Sequence, residues 1–313
     1  MKVIKFFTLA LLGLIVLICL LFGRPNKSLK VLKEKYAQPP SAFVEVDGME
    51  VHYRDEGNLQ DTLPVILLHG TGASLHTFDN WVAELSQRHR VVRMDLPAFG
   101  LTGPFPDRNY EIDHYLVFLE AFLAARDIDR CILGGNSLGG LIAWRFTLKR
   151  PEMVDKLILI DAAGYPKEST SEPIAFTIAR IPVLNKILTF ITPRFVVRSS
   201  VEDVYVDKSK LSESLVDRYY DLTLRTGNRQ AFVDRMQIDT DTNSTTQIKD
   251  IQQPTLILWG AEDALITTES AYRFQEDLPN DTLVILENIG HVPMEESPTE
   301  SLVPVLEFLD RDF

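Results

Sequence analysis

Two hydrophobic rhythms run along this chain. Short apolar runs alternate with stretches whose apolar positions recur every three or four residues, the patterns of buried strands and amphipathic helices. Ser41–Val46 and Met49–Arg54 alternate apolar and polar positions around Asp47-Gly48, which predicts a hairpin. Strands are predicted at Pro64–His69, Val91–Leu96, Cys131–Gly135, Lys156–Ile160, Pro254–Trp259 and Thr282–Leu286. Between them, helical spacing marks Trp81–Gln87, Tyr110–Arg126 and a final helix at about Thr299–Leu309. Strand–helix alternation after an antiparallel start implies an α/β protein with a mostly parallel, doubly wound sheet. Gly164 to about Thr246 breaks the rhythm. It lacks strand patterning and carries apolar clusters such as Pro173–Ile178 and Ile187–Ile191, so it reads as a helical insertion over the carboxyl ends of the strands.

The N-terminus follows neither rhythm. Phe6 to Gly23 carries no charge and consists mostly of Leu, Ile, Val and Phe. As a helix it would be roughly 27 Å long, close to the ~30 Å hydrocarbon core of a bilayer. No small-x-small cleavage site follows it, and bulky Ile18 precedes Cys19, so an uncleaved transmembrane signal anchor is expected over residues 1–23. The flanking charges leave the side of the following domain open. Arg24, Lys27, Lys30, Lys33 and Lys35 would be held inside by the positive-inside rule, whereas the very short tail with Lys2 and Lys5 would itself stay inside and send the rest out. Residues 24–40, ending Gln38-Pro39-Pro40, read as a basic linker, so a chain beginning near Tyr36 is expected to fold by itself.

Charge narrows the partners. The chain carries a net −12, and beyond residue 35 it holds 25 basic against 43 acidic side chains, a net −18. So acidic a body is a poor ligand for nucleic acid, whose affinity rests on phosphate neutralisation. Cys19 lies in the apolar run and Cys131 in a predicted core strand, so no disulfide is expected. No metal-ligand spacing and no dinucleotide fingerprint is present, and no cofactor is implied.

The chemistry centres on Gly135-Asn136-Ser137-Leu138-Gly139. It follows a predicted strand and opens a helical stretch from Leu141, the setting of a nucleophile elbow in which a strained serine stands exposed above the sheet. A serine hydroxyl needs a base. Of the six histidines, at 52, 69, 76, 89, 114 and 291, only His291 follows the last predicted strand, in a loop after Gly290. Three acids could orient it: Asp263 and its neighbour Glu262 after Pro254–Trp259, or Asp161 after Lys156–Ile160.

Leu68-His69-Gly70-Thr71-Gly72, Asp95–Gly100, Gly135–Gly140, Leu258–Asp263 and Gly290-His291 stand in an order that resembles α/β-hydrolase-fold enzymes with a helical cap. The resemblance covers about residue 41 to the end. It implies a core of residues 41–163 and 247–313, with a cap at 164–246. It further implies Ser137 as nucleophile, His291 as general base, Asp263 as the triad acid, and backbone N–H groups of Thr71 and Leu138 as the oxyanion hole. His69 and Asp95 would be structural. Serine instead of aspartate at 137 disfavours the branches that need an ester-forming carboxylate. The expectation is a membrane-anchored hydrolase of small apolar esters, with a carbon–carbon bond hydrolase or a slow-turnover ligand receptor as alternatives.

Overall fold

The computed structural model describes Phe6, Gly13 and residues 21–166, 169–238 and 243–312. The expected anchor, Phe6–Gly23, lies almost wholly outside those residues. Among the described residues no helix is long and apolar enough to cross a membrane.

An eight-stranded sheet organises the body. Its strands are β1 (Ala42–Val46), β2 (Met49–Glu56), β3 (Val65–Leu68), β4 (Val91–Met94), β5 (Cys131–Asn136), β6 (Val154–Ile160), β7 (Thr255–Gly260) and β8 (Asp281–Leu286), in the spatial order β1-β2-β4-β3-β5-β6-β7-β8. Only the pairings of β2 are antiparallel. The hairpin register Val46↔Met49 places Asp47 and Gly48 in the turn, both at positive φ. In β3, β4 and β5 every residue is buried, as expected of strands covered on both faces. From β3 the chain first steps to β4 on one side and then crosses to β5 on the other. The strand order therefore reverses between β3 and β5, where ligands bind in open α/β sheets.

Two apolar clusters flank the sheet. One face packs Tyr115, Phe118, Phe122, Ile142, Trp144 and Phe146 from α3 (Ile112–Ala125) and α4 (Leu138–Lys149), numbered after α1 and α2 below. The other packs Phe78, Trp81, Val305 and Phe308 from the stretch around α2 (Asp79–Leu85) and from the C-terminal helix. Between β6 and β7 the described residues form five α-helices, two 3₁₀ segments and no strand; the α-helices are α5 (Ile174–Arg180), α6 (Leu184–Leu188), α7 (Arg194–Glu202), α8 (Glu213–Thr223) and α9 (Asn228–Met236). After β7 come α10 (Thr268–Asp277), β8, α11 (Pro293–Glu296) and α12 (Pro298–Leu309).

The stretch that reads as a linker holds more structure than its composition announces. Ser28 caps α1 (Leu29–Tyr36), and Leu32, 1% exposed, packs with Leu101 and Leu222. Asp221 on α8 accepts hydrogen bonds from Lys27 (2.6 Å), Lys35 (2.9 Å) and the Tyr36 hydroxyl (2.9 Å). Burial raises the Tyr36 phenol to about 12. Two basic side chains of the stretch read as a linker are thus held by the insertion. The sequence pattern missed this because a single buried leucine in an eight-residue helix makes no visible stripe.

Candidate active site

β5 ends at Asn136 and α4 begins at Leu138, which leaves Ser137 alone in the turn with φ 55° and ψ −113°. A non-glycine residue at such a φ is strained and persists only where its surroundings over-determine it. Here they do. The Ser137 N–H donates to the Ile160 carbonyl (3.1 Å), and its own carbonyl accepts from the Leu141 and Ala163 amides. A Cβ on Gly135 would overlap the backbone of Gly139, and one on Gly139 would overlap the carbonyl of Leu68. The two glycines of the motif are therefore required by close approach of neighbouring chain.

His291 follows β8 and sits on the same cavity as Ser137. Its Nδ1 is 2.7 Å from Asp263 Oδ2, which fixes Nδ1 as the donor and leaves Nε2 available for a serine proton. The other Asp263 oxygen accepts from the Leu265 (2.8 Å) and Ile266 (3.0 Å) amides, so the carboxylate meets only donors. Glu262 turns elsewhere and accepts from the Ile289 amide. Asp161 lies close by. One of its oxygens accepts from the Gly260 amide (3.0 Å), and among the described residues the other meets no hydrogen-bond donor. Burial, with the charge of Asp263 adding to it, pushes the Asp161 carboxyl well above the usual carboxylate range. Two carboxyl groups so close in a buried site disfavour each other's charge, which adds to the burial effect on Asp161. Asp161, Asp263 and His291 cluster within 4.8 Å although they come from three separate loops, a grouping that spacing along the sequence does not reveal.

The amides expected to serve as oxyanion donors, Thr71 and Leu138, lie in the turn after β3 and at the start of α4. Leu138 is the first residue of α4, where an amide has no acceptor four residues back. Gly70 packs on the nucleophile: a Cβ there would stand 3.1 Å from the Ser137 Cβ, so the Gly70–Gly72 turn abuts the serine. His69 holds that turn. Its Nε2 accepts from the Leu96 amide (2.9 Å) and its Nδ1 donates to the Gly70 carbonyl (2.8 Å), while burial lowers its pKa and keeps it neutral. Asp95 is likewise structural: it accepts from the Leu75 and Leu101 amides and pairs with His52.

Two residues of the site carry no motif. Asn136 donates through Nδ2 to the carbonyls of Ile160 (3.2 Å) and His291 (3.0 Å), tying the nucleophile strand to the base loop. Glu296 is buried and accepts from the Gly290, Val206 and Asp207 amides, which locks the base loop to the insertion. Asn136 occupies a variable place in the serine pentapeptide, and Glu296 looks like any acid near a helix end. Only the contacts mark them.

The cavity behind Ser137 has a volume of about 140 Å³. Phe176, Leu188, Val197, Val201, Leu222 and Phe232 of the insertion form much of its wall. Among the described residues no carboxylate and no lysine lines it, and the one guanidinium there, Arg229, donates through Nη2 to the Arg24 carbonyl (2.9 Å) and the Asn26 side chain (2.7 Å).

Comparison with known proteins agrees with this geometry. The profile of the alpha/beta hydrolase fold matches residues 64–298, and the chain belongs to that family. It is similar to a 2-hydroxy-6-oxo-6-(2'-aminophenyl)hexa-2,4-dienoic acid hydrolase of Metapseudomonas resinovorans, 27% identical over 91% of this chain and 96% of the relative. A 2-hydroxy-6-oxo-2,4-heptadienoate hydrolase of Pseudomonas putida is 28% identical over 78% of this chain and 87% of the relative. Among solved structures, a membrane phospholipase A described as a bacterial virulence factor superposes with a TM-score of 0.73 at 26% identity, covering 99% of this chain and 98% of that one.

Proposed function

We propose that the chain is a serine hydrolase that cleaves carboxylic esters of apolar acyl groups, lipid esters among them, through an acyl-enzyme on Ser137. The observation that carries this reading is the cavity: a predominantly apolar wall reaches Ser137 and His291, with no carboxylate or lysine among its described residues. The phospholipase likeness supports it, because it extends over 99% of this chain.

In this reading His291 Nε2 takes the Ser137 proton as Oγ bonds to the ester carbonyl carbon. Negative charge collects on the carbonyl oxygen, where the Leu138 and Thr71 amides meet it, the former at a helix N-terminus. Asp263 holds the imidazole in the required tautomer and stabilises the imidazolium. The proton then passes to the departing alkoxide as the carbon–oxygen bond breaks. Water, deprotonated by His291, attacks the acyl-enzyme and releases the acid.

A second reading is a carbon–carbon bond hydrolase of vinylogous keto acids, favoured by the names of the two sequence relatives. Such a substrate brings a carboxylate, for which Arg229 is the one guanidinium in the wall. Arg218, half-buried in the insertion, is paired with Glu295. A series of water-soluble esters of increasing acyl length, assayed beside a 2-hydroxy-6-oxo-dienoic acid, separates the two. Each added methylene should raise kcat/KM up to about fourfold until the cavity is full. A flat ester series with rapid dienoate cleavage would establish the second reading instead.

A further inference from the structure

Large apolar side chains are exposed unevenly over this molecule. Val183 (72% exposed), Phe190 (70%) and Phe195 (63%) stand out, and Ile174, Leu184 and Ile187 join them in the same stretch of the insertion. Isolated exposed hydrophobes need no explanation, but a grouped set marks a surface that meets another apolar phase.

The inner sides of the same short helices form the cavity wall. On α5, Ile174 is exposed while Ala175 and Phe176 line the cavity; on α6, Leu184 and Ile187 are exposed while Leu188 lines it; on α7, Phe195 is exposed while Val196 and Val197 line it. One layer of helix thus separates the exposed apolar face from the acyl pocket.

The N-terminal run ends on this face. The Arg24 amide donates to the Phe190 carbonyl (3.1 Å), Gly23 bridges to Ile191, and the Phe22 ring meets the Phe195 ring edge-on at 6.3 Å. The uncharged sequence that leads to Gly23 has the length and composition of a bilayer span. Lys186 is exposed between Leu184 and Ile187, where a long cationic side chain can reach lipid phosphates while its neighbours enter the acyl region. Nearby acids oppose lipid little: Glu172 is paired with Arg180 (2.7 Å) and Glu213 with Arg194 (2.7 Å).

We propose that the outer face of α5–α7, with the Phe190 turn, docks into the lipid bilayer beside the N-terminal run, so that acyl chains enter the cavity directly from the membrane. The lipid-ester reading gives this docking its purpose, and the docking is measured independently of it. The bilayer is the occupant because the run that ends at Gly23 is bonded to this face; a second copy of the chain is the competing occupant.

The test uses the full chain reconstituted in vesicles of phosphatidylcholine and phosphatidylglycerol with brominated acyl chains. Trp81, Trp144 and Trp259 are all buried, so a tryptophan introduced at the surface reports alone on lipid contact. Phe190→Trp and Val183→Trp should be quenched by the bromines. Leu59→Trp, in the exposed loop before β3 at the opposite end of the strands, should not. In the same vesicles, Ile187→Asp with Phe190→Asp should lower kcat/KM on bilayer-borne esters by at least about tenfold and leave a short soluble ester within about twofold. Unquenched tryptophans at 183 and 190 in vesicle-bound protein would overturn the proposal. So would an aspartate variant that turns a dimer into a monomer while lipid-ester turnover holds. If the parent chain cleaves no ester, the functional reading fails and the quenching alone decides the docking.

Discussion

The described residues contain two Ser–His–Asp groupings, and only one of them lines the cavity. Ser41 Oγ lies 2.9 Å from His52 Nε2, and His52 Nδ1 lies 2.7 Å from Asp95 Oδ2. That chain is as well bonded as the His291–Asp263 pair at 2.7 Å. The differences lie around it. Arg54 Nε donates to Ser41 Oγ (3.0 Å), and the Asp95 oxygens also serve the Leu75 and Leu101 amides, so the first set braces three loops. Ser137 instead stands at positive φ at the start of a helix, against the Gly70 turn, on the cavity wall. Among the described residues, that wall includes Ser137 and His291 and excludes Ser41 and His52. Hydrogen-bond order alone does not make a nucleophile; a place on the cavity, backbone strain and oxyanion donors do.

The sharpest way to break this contrast is to delete each serine. Ser137→Ala should lower kcat by about 10⁴-fold or more with an unchanged melting curve. Ser41→Ala should keep activity within about twofold and lose about 1 kcal/mol of stability in denaturant titration. Reversed outcomes would mean that the wrong set was taken as the site.

The acids carry the same contrast. Asp263→Asn presents the wrong partner to His291 Nδ1 and should reduce kcat by about 10⁴-fold, whereas Asp161→Asn should stay within about threefold. If steady-state rates show the opposite, Asp161 is the triad acid.

Smaller effects concern what surrounds the site. Leu32→Ala should cost about 2–5 kcal/mol in equilibrium unfolding, as for other fully buried leucines. A chain that begins at Tyr36 should melt earlier than one that begins at Gly23, against the expectation from composition. Phe232→Ala on the cavity wall should lower kcat/KM for long acyl esters about tenfold relative to acetyl esters, through lost burial. Loss on all esters alike would make Phe232 a packing residue.

The smallest effect is electrostatic. Because the folded-state pKa of Asp161 is raised, the unfolded chain releases its proton first as pH rises, and the native state loses stability above the ordinary aspartate value of about 4. Asp161→Asn removes that term. Its stability relative to the parent should therefore increase with pH through this window, as read from denaturant midpoints. A difference independent of pH would show that Asp161 is ionised in the folded protein.

What could be read in advance followed physical periodicity. The parallel strands were legible because four-residue apolar runs such as Val65–Leu68 are buried on both faces, and the serine turn because its glycines are sterically required. The Asp263–His291 pair was legible only as chain order; its bond is a tertiary fact. Neither the docking of α1 on Asp221 nor the Ser41–His52–Asp95 brace has a local signature, since each joins residues far apart in sequence through ordinary polar side chains. The apolar residues of the insertion were visible, but their division into a cavity-facing and an exposed set needed the fold.

The most direct test of the central claim is rapid-quench intact-mass spectrometry of the full chain with an activated long-acyl ester. The account predicts a transient increase by the mass of one acyl group, located on the peptide containing Ser137, preceding steady-state acid release and absent from Ser137→Ala. Ester turnover without an adduct at Ser137, or an adduct that persists in Ser137→Ala, would contradict it.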